Sequence, residues 1–467
     1  MKTLIFKTIL LGALCGFVCA DDFTPDGILE PDPIPGFNPA HEIIAPARII
    51  PSEATNDTSL VRPGDVPIKP PKLVKTDSGQ LVLVQYTAKN QKQKNDQAAS
   101  KPSSELPQSY QEFNAMSETE RKASLKRSIE AVLITNTRRG VNTQNHTPND
   151  VLLMALPYGA DARVYKPTPN VDPRDKNAPK GEYIYSLGAL CWNIPCNGKT
   201  LLRTDNSKII ARVGHGYQHR PASFAALMAM SNIMPNYELR VGGNPYTIAH
   251  LVASERLAVS KGMNMSMALV AFSFYGESGD QWKNELGEVW NIEKMVTGEL
   301  NRQIDQGTSD VTDWLLGLTS AVKLYESENK PIRGPLDLAK KQLKIYHEFV
   351  VSIQNDRYLW HPKFFLYKGF HPDAFETMYS GGHILRWLAY SMPDKELQDP
   401  RIVRAVNSLA MTVNRVKTET MAKDLSSKQL EGLAVSLHAL SLYYQRTYGS
   451  EPVLSQVAPE ENSVAVR

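Results

Sequence analysis

Apolar residues recur at helical spacing along most of the chain from Ser117 onward. Ser117 and Glu120 stand at capping-box spacing before the first such stretch. Thr147 caps a second one, with Pro148 at the first helical position, where its missing N–H costs nothing. The same criteria predict further helices at 181–191, 222–234, 246–259, 265–275, 291–304, 311–326, 335–354, 378–392, 400–415 and 427–446.

Two kinds of helix tend to alternate along this series. Stretches such as ASFAALMAMSNIM, MSMALVAFSFY and HILRWLAYSM are apolar on nearly all sides, which indicates burial on both faces. The helices predicted at 335–354 and 400–415 carry a single apolar stripe and a polar face. Buried inner helices alternating with amphipathic outer ones are what a closed ring of helix pairs requires. The pattern therefore predicts an all-α fold, namely an α/α toroid or an incomplete (α/α)6-type barrel of helix pairs.

A short internal repeat supports this interpretation. SNIMPNYELRVGGNPYTI at 231–248 and AYSMPDKELQDPRIV at 389–403 share an apolar helix that ends in Met-Pro, followed by a loop to Asn/Asp-Pro. The two Met-Pro prolines are expected to end inner helices. Asn244-Pro245 and Asp399-Pro400 are expected to cap and start outer helices.

The charge balance excludes some partners. The chain has 467 residues, with 52 basic and 49 acidic side chains and a formal net charge of +3. No long basic run is present, which argues against a nucleic-acid footprint or a polybasic membrane patch. Residues 1–20, MKTLIFKTILLGALCGFVCA, are typical of a signal peptide cleaved near Ala20, so a secreted or periplasmic location is expected. No later apolar run reaches the roughly 18 residues that a membrane helix needs.

The predicted helical domain at 109–448 is flanked by polar segments. Residues 21–108 are rich in Pro, Asp, Lys, Gln and Ser, a composition that predicts a flexible, disordered arm. Within it, QLVLVQY at 80–86 alternates like a lone strand that needs the domain or a partner for pairing. The tail at 449–467 is expected to be disordered too.

Outside the predicted signal peptide the chain contains two cysteines, Cys191 and Cys196, in CWNIPC. In an oxidising compartment this spacing favours a local disulfide over a zinc site, which would need two further ligands nearby. No metal site is predicted. No cofactor is predicted either, since dinucleotide-binding, phosphate-binding and H-E-x-x-H motifs are missing from the sequence.

The segments ALCWNIPCNG, WKNELGEVWNIEKM and GGHILRWLAYSMPDKELQDPRIVRAV resemble a family of secreted bacterial helical proteins of unassigned function. The resemblance covers about 150–446. The helix pairs also resemble the α/α-toroid architecture of terpenoid cyclases, protein prenyltransferases and some polysaccharide lyases and glycosidases. It implies a fold and a compartment, but no reaction, because the Asp-rich and Gln-Trp motifs of squalene-cyclase-like enzymes are missing.

His383, after Ser380-Gly381-Gly382, is the first candidate functional residue. If the glycines mark the start of an inner helix, free backbone N–H groups could bind a sugar or an anion, with His383 as acid or base. The alternative is a tight turn with His383 hydrogen-bonded across the ring.

The segment at 358–375, YLWHPKFFLYKGFHPDAF, combines rings with polar groups. Its candidate ligand-binding residues are Trp360, His361, Tyr367 and His371, suited to sugar faces or to a partner's apolar side chains. A faint second copy at 216–224 adds His219. A loop that packs its own rings is an equally weighted alternative.

The stretch at 282–295 places Glu288 beside Trp290, so Glu288 could be a glycosidase-type acid with a raised pKa. The alternative is a turn that leads into a helix with an acidic first turn. Asp310 and Asp313 are expected to cap the helix that follows them. Taken together, the sequence predicts a protein that binds a glycan or another cell-envelope ligand in a central cavity. A carbohydrate-active enzyme of lyase or hydrolase type and a non-catalytic scaffold are the alternatives.

Overall fold

The computed structural model of the protein describes residues 49–50, 62, 64–68, 72–75, 81–84, 108–137, 140–168, 181–305, 309–416 and 424–449. Helices predominate in these residues, and their strands form small two-stranded sheets. The predicted signal peptide, most of the predicted arm and nearly all of the predicted tail lie outside the described residues.

The described helices fall close to the predicted ones. They are α1 (Gln108–Ala115), α2 (Glu118–Asn136), α3 (Pro148–Ala155), α4 (Ser186–Cys191), α5 (Ser223–Met230), α6 (Ile248–Ala258), α7 (Ser266–Tyr275), α8 (Ile292–Asn301), α9 (Ser309–Ser327), α10 (Gly334–Ser352), α11 (Ala374–Ser391), α12 (Asp394–Leu397), α13 (Pro400–Arg415) and α14 (Ser427–Tyr448). The capping box predicted at Ser117 and the N-cap predicted at Thr147 are confirmed, and Asp399 caps α13 with Pro400 in its first turn.

Hairpins between the helices were not predicted. The strands are β1 (Ile49–Ile50), β2 (Val66–Pro67), β3 (Lys72–Lys75), β4 (Leu81–Val84), β5 (Arg163–Lys166), β6 (Glu182–Tyr185), β7 (Leu202–Asp205), β8 (Lys208–Ala211), β9 (Glu238–Val241), β10 (Asn244–Thr247), β11 (Trp282–Lys283), β12 (Val289–Trp290), β13 (Ile304–Asp305) and β14 (Tyr367–Lys368). The predicted helix at 181–191 is half wrong, because EYIY pairs with β5 and only the following six residues are helical.

The repeat holds at one copy only. Gly242 and Gly243 both adopt positive φ, which joins β9 and β10 in a tight hairpin and places Pro245 in a strand. Helix α6 therefore starts after Thr247, whose side chain accepts a hydrogen bond from the His250 N–H. The expectation that Asn244-Pro245 starts an outer helix is wrong.

Inner helices pack in a continuous order. Helices α5, α7, α9, α11, α14 and α3 contact one another successively, while α10, α13 and α2 lie against α9, α11 and α14. Their large core side chains are completely buried, including Phe224, Phe272, Trp314 and Trp387. The predicted all-round apolar stretches thus supply this buried layer.

Helix α11 begins nine residues before His383, with Asp373 as its N-cap. The prediction that Gly381-Gly382 opens the helix is therefore wrong. Both glycines lie inside α11 and permit close packing. A Cβ on Gly382 would lie 2.7 Å from the Ser436 nitrogen of α14, and one on Gly432 would lie 3.1 Å from the Phe375 carbonyl oxygen.

Parts of the arm pair within the chain. Strand β2 pairs with β14, and β1 pairs with β13. Asp65 Oδ2 lies 3.0 Å from His361 Nε2, with both side chains almost fully buried. The segment predicted as a lone strand pairs at 81–84 with its neighbour 72–75, a route to order that the sequence interpretation did not include.

The predicted disulfide is wrong in this structure. Cys191 and Cys196 are free thiols, and both are buried. Cys191 ends α4, while Cys196 is held by two backbone hydrogen bonds with Lys199. Burial raises the pKa of Cys196 to about 12 and also raises the pKa of Cys191, so both behave as small apolar core residues.

Among the helices that the structure describes, none combines the length and the apolar character that crossing a membrane requires.

Candidate functional site

Charged side chains from three segments meet around the first turns of α9. Arg220, just before α5, forms ion pairs with Asp310 and with Asp313, the latter at 3.5 Å from Nε to Oδ2. Arg386 of α11 donates from a terminal nitrogen to Asp313 Oδ1 at 2.8 Å. Helix α9 begins at Ser309, so Asp310 and Asp313 lie inside it rather than before it. The prediction that they cap this helix is wrong.

A third arginine fixes this cluster from the side of α8. Arg302 contacts Asp310 Oδ2 at 2.9 Å and Glu299 Oε2 at 3.0 Å. Glu299 is completely buried and accepts hydrogen bonds from the Met265 N–H and the Ser266 hydroxyl at the start of α7. The ion network thus ties the beginning of α7 and of α9 to the end of α8.

His383 faces this cluster from the middle of α11. Its Nε2 lies 3.4 Å from Glu431 Oε1 on α14, and its Nδ1 lies 3.4 Å from the Thr312 hydroxyl. The His383 side chain is only 3% exposed, whereas that of Glu431 is 18% exposed. The carboxylate is therefore the member of the pair that faces solvent.

Tyr379 and His219 complete the accessible edge. The Tyr379 ring centroid lies 4.7 Å from that of His383, and Tyr379 precedes His383 by one helical turn in α11. His219 is exposed, and its Nε2 lies 3.2 Å from the amide nitrogen of Asn149 on α3. The charge of His219 also lowers the pKa of Glu431, the partner of His383, so His219 lies near that pair although it is far from both in sequence. We define the candidate site by its polar members, which are Asn149, His219, Arg220, Asp310, Thr312, Asp313, Tyr379, His383, Arg386 and Glu431.

The site holds two of its carboxylates, Glu431 and Asp310, ionised. Burial opposes this at Glu431, but His383, His219 and Arg386 together lower its pKa. Burial likewise opposes it at Asp310, where Arg302 and Arg220 lower the pKa. Burial, followed by the Glu431 charge, raises the pKa of Tyr379, which keeps its hydroxyl protonated.

Glu288 and Trp290 do not join this site. Glu288 accepts hydrogen bonds from Asn284 Nδ2 at 2.9 Å and from the Trp290 indole at 3.1 Å, all within the β11–β12 hairpin. Asn291 then caps α8, and Glu293 lies in its first turn. The structure thus has the alternative predicted for this stretch, a turn that leads into a helix with an acidic first turn.

The aromatic segment packs mainly against α10 and against the arm. Trp360 is buried and donates to the Val350 carbonyl at 2.7 Å. His361 pairs with Asp65, and Tyr367 lies in β14, 5.5 Å from the His361 ring. His371 is half-buried, and its Nδ1 accepts a hydrogen bond from the Asp373 N–H. This segment anchors the arm.

The sequence interpretation missed Arg220, Asp313, Tyr379, Arg386 and Glu431 as site residues. A usable signal was present, since Arg386 is a lone charge in the otherwise apolar stretch HILRWLAYSM. Such a charge inside an inner helix needs a buried partner. Among the described residues, no group of three or more His, Cys, Asp or Glu side chains is arranged to hold a metal ion.

Comparison with protein-family models, with curated proteins and with solved structures finds no match for this chain.

Glu255 of α6 supports the loop that carries His219 and Arg220. Burial raises the pKa of Glu255 to about 7, against hydrogen bonds from the Gln218 side chain and the Ala222 backbone that lower it. Gln218 in turn donates to the Ala211 carbonyl and accepts from the Phe224 N–H. The loop before α5 is thus held by a carboxyl group that titrates near neutral pH.

Glu255→Gln should stabilise the protein at neutral and alkaline pH but not at acidic pH. Between about pH 4.5 and 7 the unfolded state releases a proton that folded Glu255 keeps, so wild-type stability falls as pH rises through this window. We expect the variant to be more stable by about 3 kcal/mol at pH 8 and equal to wild type at pH 4. Urea unfolding of both proteins at pH 4 and pH 8 measures the difference in the free energy of unfolding. A difference that is equal at the two pH values would contradict the prediction.

Proposed function

We propose that the candidate site binds a glycan or another hydroxyl-rich cell-envelope ligand, and that the protein works outside the cytoplasm, in the secreted or periplasmic compartment. The observation that carries the proposal is the convergence of charged and polar side chains from α3, α5, α9, α11 and α14 on one partly exposed place. Buried ion networks contribute little net stability, so a binding role is the better account of this one.

The charge pattern favours a neutral or amine-bearing ligand over a polyanion. Arg220, Arg302 and Arg386 are all paired with carboxylates of the network. Glu431 is the most accessible carboxylate of the site and is held ionised. Sugar hydroxyls can donate to such a carboxylate and accept from the protonated Tyr379 hydroxyl.

An α/α toroid is the architecture we propose for the described helices. It is supported by the successive contacts of α5, α7, α9, α11, α14 and α3, with amphipathic helices packed behind them. In that arrangement the candidate site lies at the end of the ring where most inner helices begin.

Catalysis by lyase or hydrolase chemistry is the alternative, and the His383–Glu431 pair is the observation that favours it. A carboxylate that orients an imidazole is a recurrent way to position a general base. Against a glycosidase, the two site carboxylates with shifted pKa values, Asp310 and Glu431, are shifted downward, while a glycosidase needs one carboxylic acid kept protonated.

His219→Ala should weaken ligand binding at least about tenfold without changing the melting temperature, because the side chain is exposed and lies at the open edge of the site. The control is His215→Ala, which removes an exposed imidazole from the same loop but away from the site contacts. A glycan array of cell-envelope oligosaccharides, followed by titration of the best ligand, measures both variants. Glu431→Gln should show the same loss as His219→Ala.

Three outcomes separate the hypotheses. Equal losses for His215→Ala and His219→Ala would contradict the proposed site. Release of shortened or unsaturated sugar products that stops in Glu431→Gln would establish the enzyme. If the wild-type protein binds no glycan on the array, the non-catalytic scaffold becomes the favoured function.

A further inference from the structure

A groove of about 580 Å³ lies between α9 and α10, toward the ends of α9 and α11. It is lined by Lys323, His347 and Ser391, by the apolar residues Val351 and Pro393, and by charged side chains of both signs, among them Glu348. On α9, Lys323 follows Asp313 by ten residues, about 15 Å of helix. The groove is therefore separate from the candidate site described above.

Lys323 carries a charge without a carboxylate in contact. Its ammonium donates to the Tyr390 carbonyl oxygen and lies 4.5 Å from the centroid of the Tyr390 ring. Among the described ion pairs, the nearby Glu326 is bonded to Lys340, and Asp394 is bonded to Arg446. A half-buried cation with unused donors on a groove wall is suited to an incoming anion.

His347 and Ser391 lie beside it. Ser391 Oγ is 2.6 Å from His347 Nε2, and the imidazole stacks on the buried Trp387 ring at 4.7 Å. Burial, together with the Lys323 charge, lowers the pKa of His347 to about 4, so the imidazole is neutral at physiological pH. A Ser–His pair can also form a nucleophile, but the neighbouring ammonium disfavours the imidazolium that this chemistry creates. The arrangement therefore suits binding.

We propose that this groove binds an organic anion with an apolar body, such as a medium-chain carboxylate. The anionic group pairs with the Lys323 ammonium and accepts a hydrogen bond from the Ser391 hydroxyl, whose oxygen then accepts from the His347 Nε2–H. The apolar body packs on Val351 and Pro393, which keep exposed surface in the free protein, and this contact supplies affinity that a small inorganic anion would lack.

The groups around Lys323 set the pH dependence. Burial and the charge of Arg446 on α14 lower its pKa to about 8, while Glu326 of α9 and Asp394 of α12 raise it. His347 of α10 is neutral, and Tyr390 of α11 contributes its carbonyl and ring. Affinity for the anion should therefore fall as pH rises above about 8, where Lys323 loses its charge.

Calorimetric titration of the full-length protein with octanoate tests the proposal. Lys323→Met keeps the length of the side chain and removes the charge, so we expect octanoate affinity to fall at least about tenfold. The control is Lys341→Met, which removes an exposed lysine that pairs with Asp337 and does not line the groove. Its affinity should stay within about twofold of wild type. Octanol and acetate, which each carry half of the ligand chemistry, should bind far more weakly than octanoate.

Octanoate binding that is equal in wild type and Lys323→Met would overturn the proposal, as would octanol binding as tight as octanoate. If Lys323→Met does not fold, the wild-type titration at pH 7 and pH 9.5 decides, since affinity that does not fall at the higher pH contradicts a charged Lys323 partner.

Discussion

Gly382→Val is expected to lower the free energy of unfolding by about 3 kcal/mol or more, because the new side chain meets backbone rather than a flexible tip. A Cβ at this position would lie 2.7 Å from the Ser436 nitrogen and 2.9 Å from the Ser436 Cα. Helices α11 and α14 would have to separate, and the His383–Glu431 pair spans the same interface. The cost therefore includes packing on both sides of the substitution.

Gly381→Ala is the matched control for this prediction. Its Cβ would meet the methyl groups of Leu359 and Leu409 at 3.4 Å, which is ordinary van der Waals contact. Alanine is also favoured over glycine in a helix by about 1 kcal/mol. We expect the control to stay within about 1 kcal/mol of wild type. Denaturant unfolding of both variants makes the measurement, and equal costs at 381 and 382 would mean that the helices do not approach as closely as described.

Local sequence rules predict the helices well. Ser117, Thr147 and Asp399 carry side chains that accept the free N–H groups of a first turn, so their helices begin where expected. Gly381-Gly382 misled the prediction, because a glycine pair is equally suited to a turn and to close helix packing. Only the position of α14 decides between the two, and that position depends on the whole fold.

The candidate site was harder to predict for a related reason. His383 was identified because histidine stands out in an apolar stretch, but its partner Glu431 lies 48 residues further along the chain. Glu288 was chosen as the acid because it lies near two tryptophans in sequence, yet its hairpin keeps it with Asn284 and Trp290. Pairing between helices is fixed by packing, which a single sequence does not reveal.

Arg386→Met should lower the free energy of unfolding by about 3 kcal/mol, the usual cost of breaking a buried ion pair from one side. The Arg386 side chain is 4% exposed, and its loss leaves Asp313 with Arg220 at 3.5 Å as its remaining described ion-pair partner.

The double variant Arg386→Met/Asp313→Asn removes both charges and should recover more than half of that loss, since no unpaired carboxylate stays buried. Urea unfolding of the two single variants and the double variant gives the coupling energy. A double variant that is as unstable as the sum of the singles would mean that the pair does not interact. A double variant that is stable but no longer binds ligand would separate the two roles of the network. Asp313 and Arg386 would then serve ligand binding rather than stability.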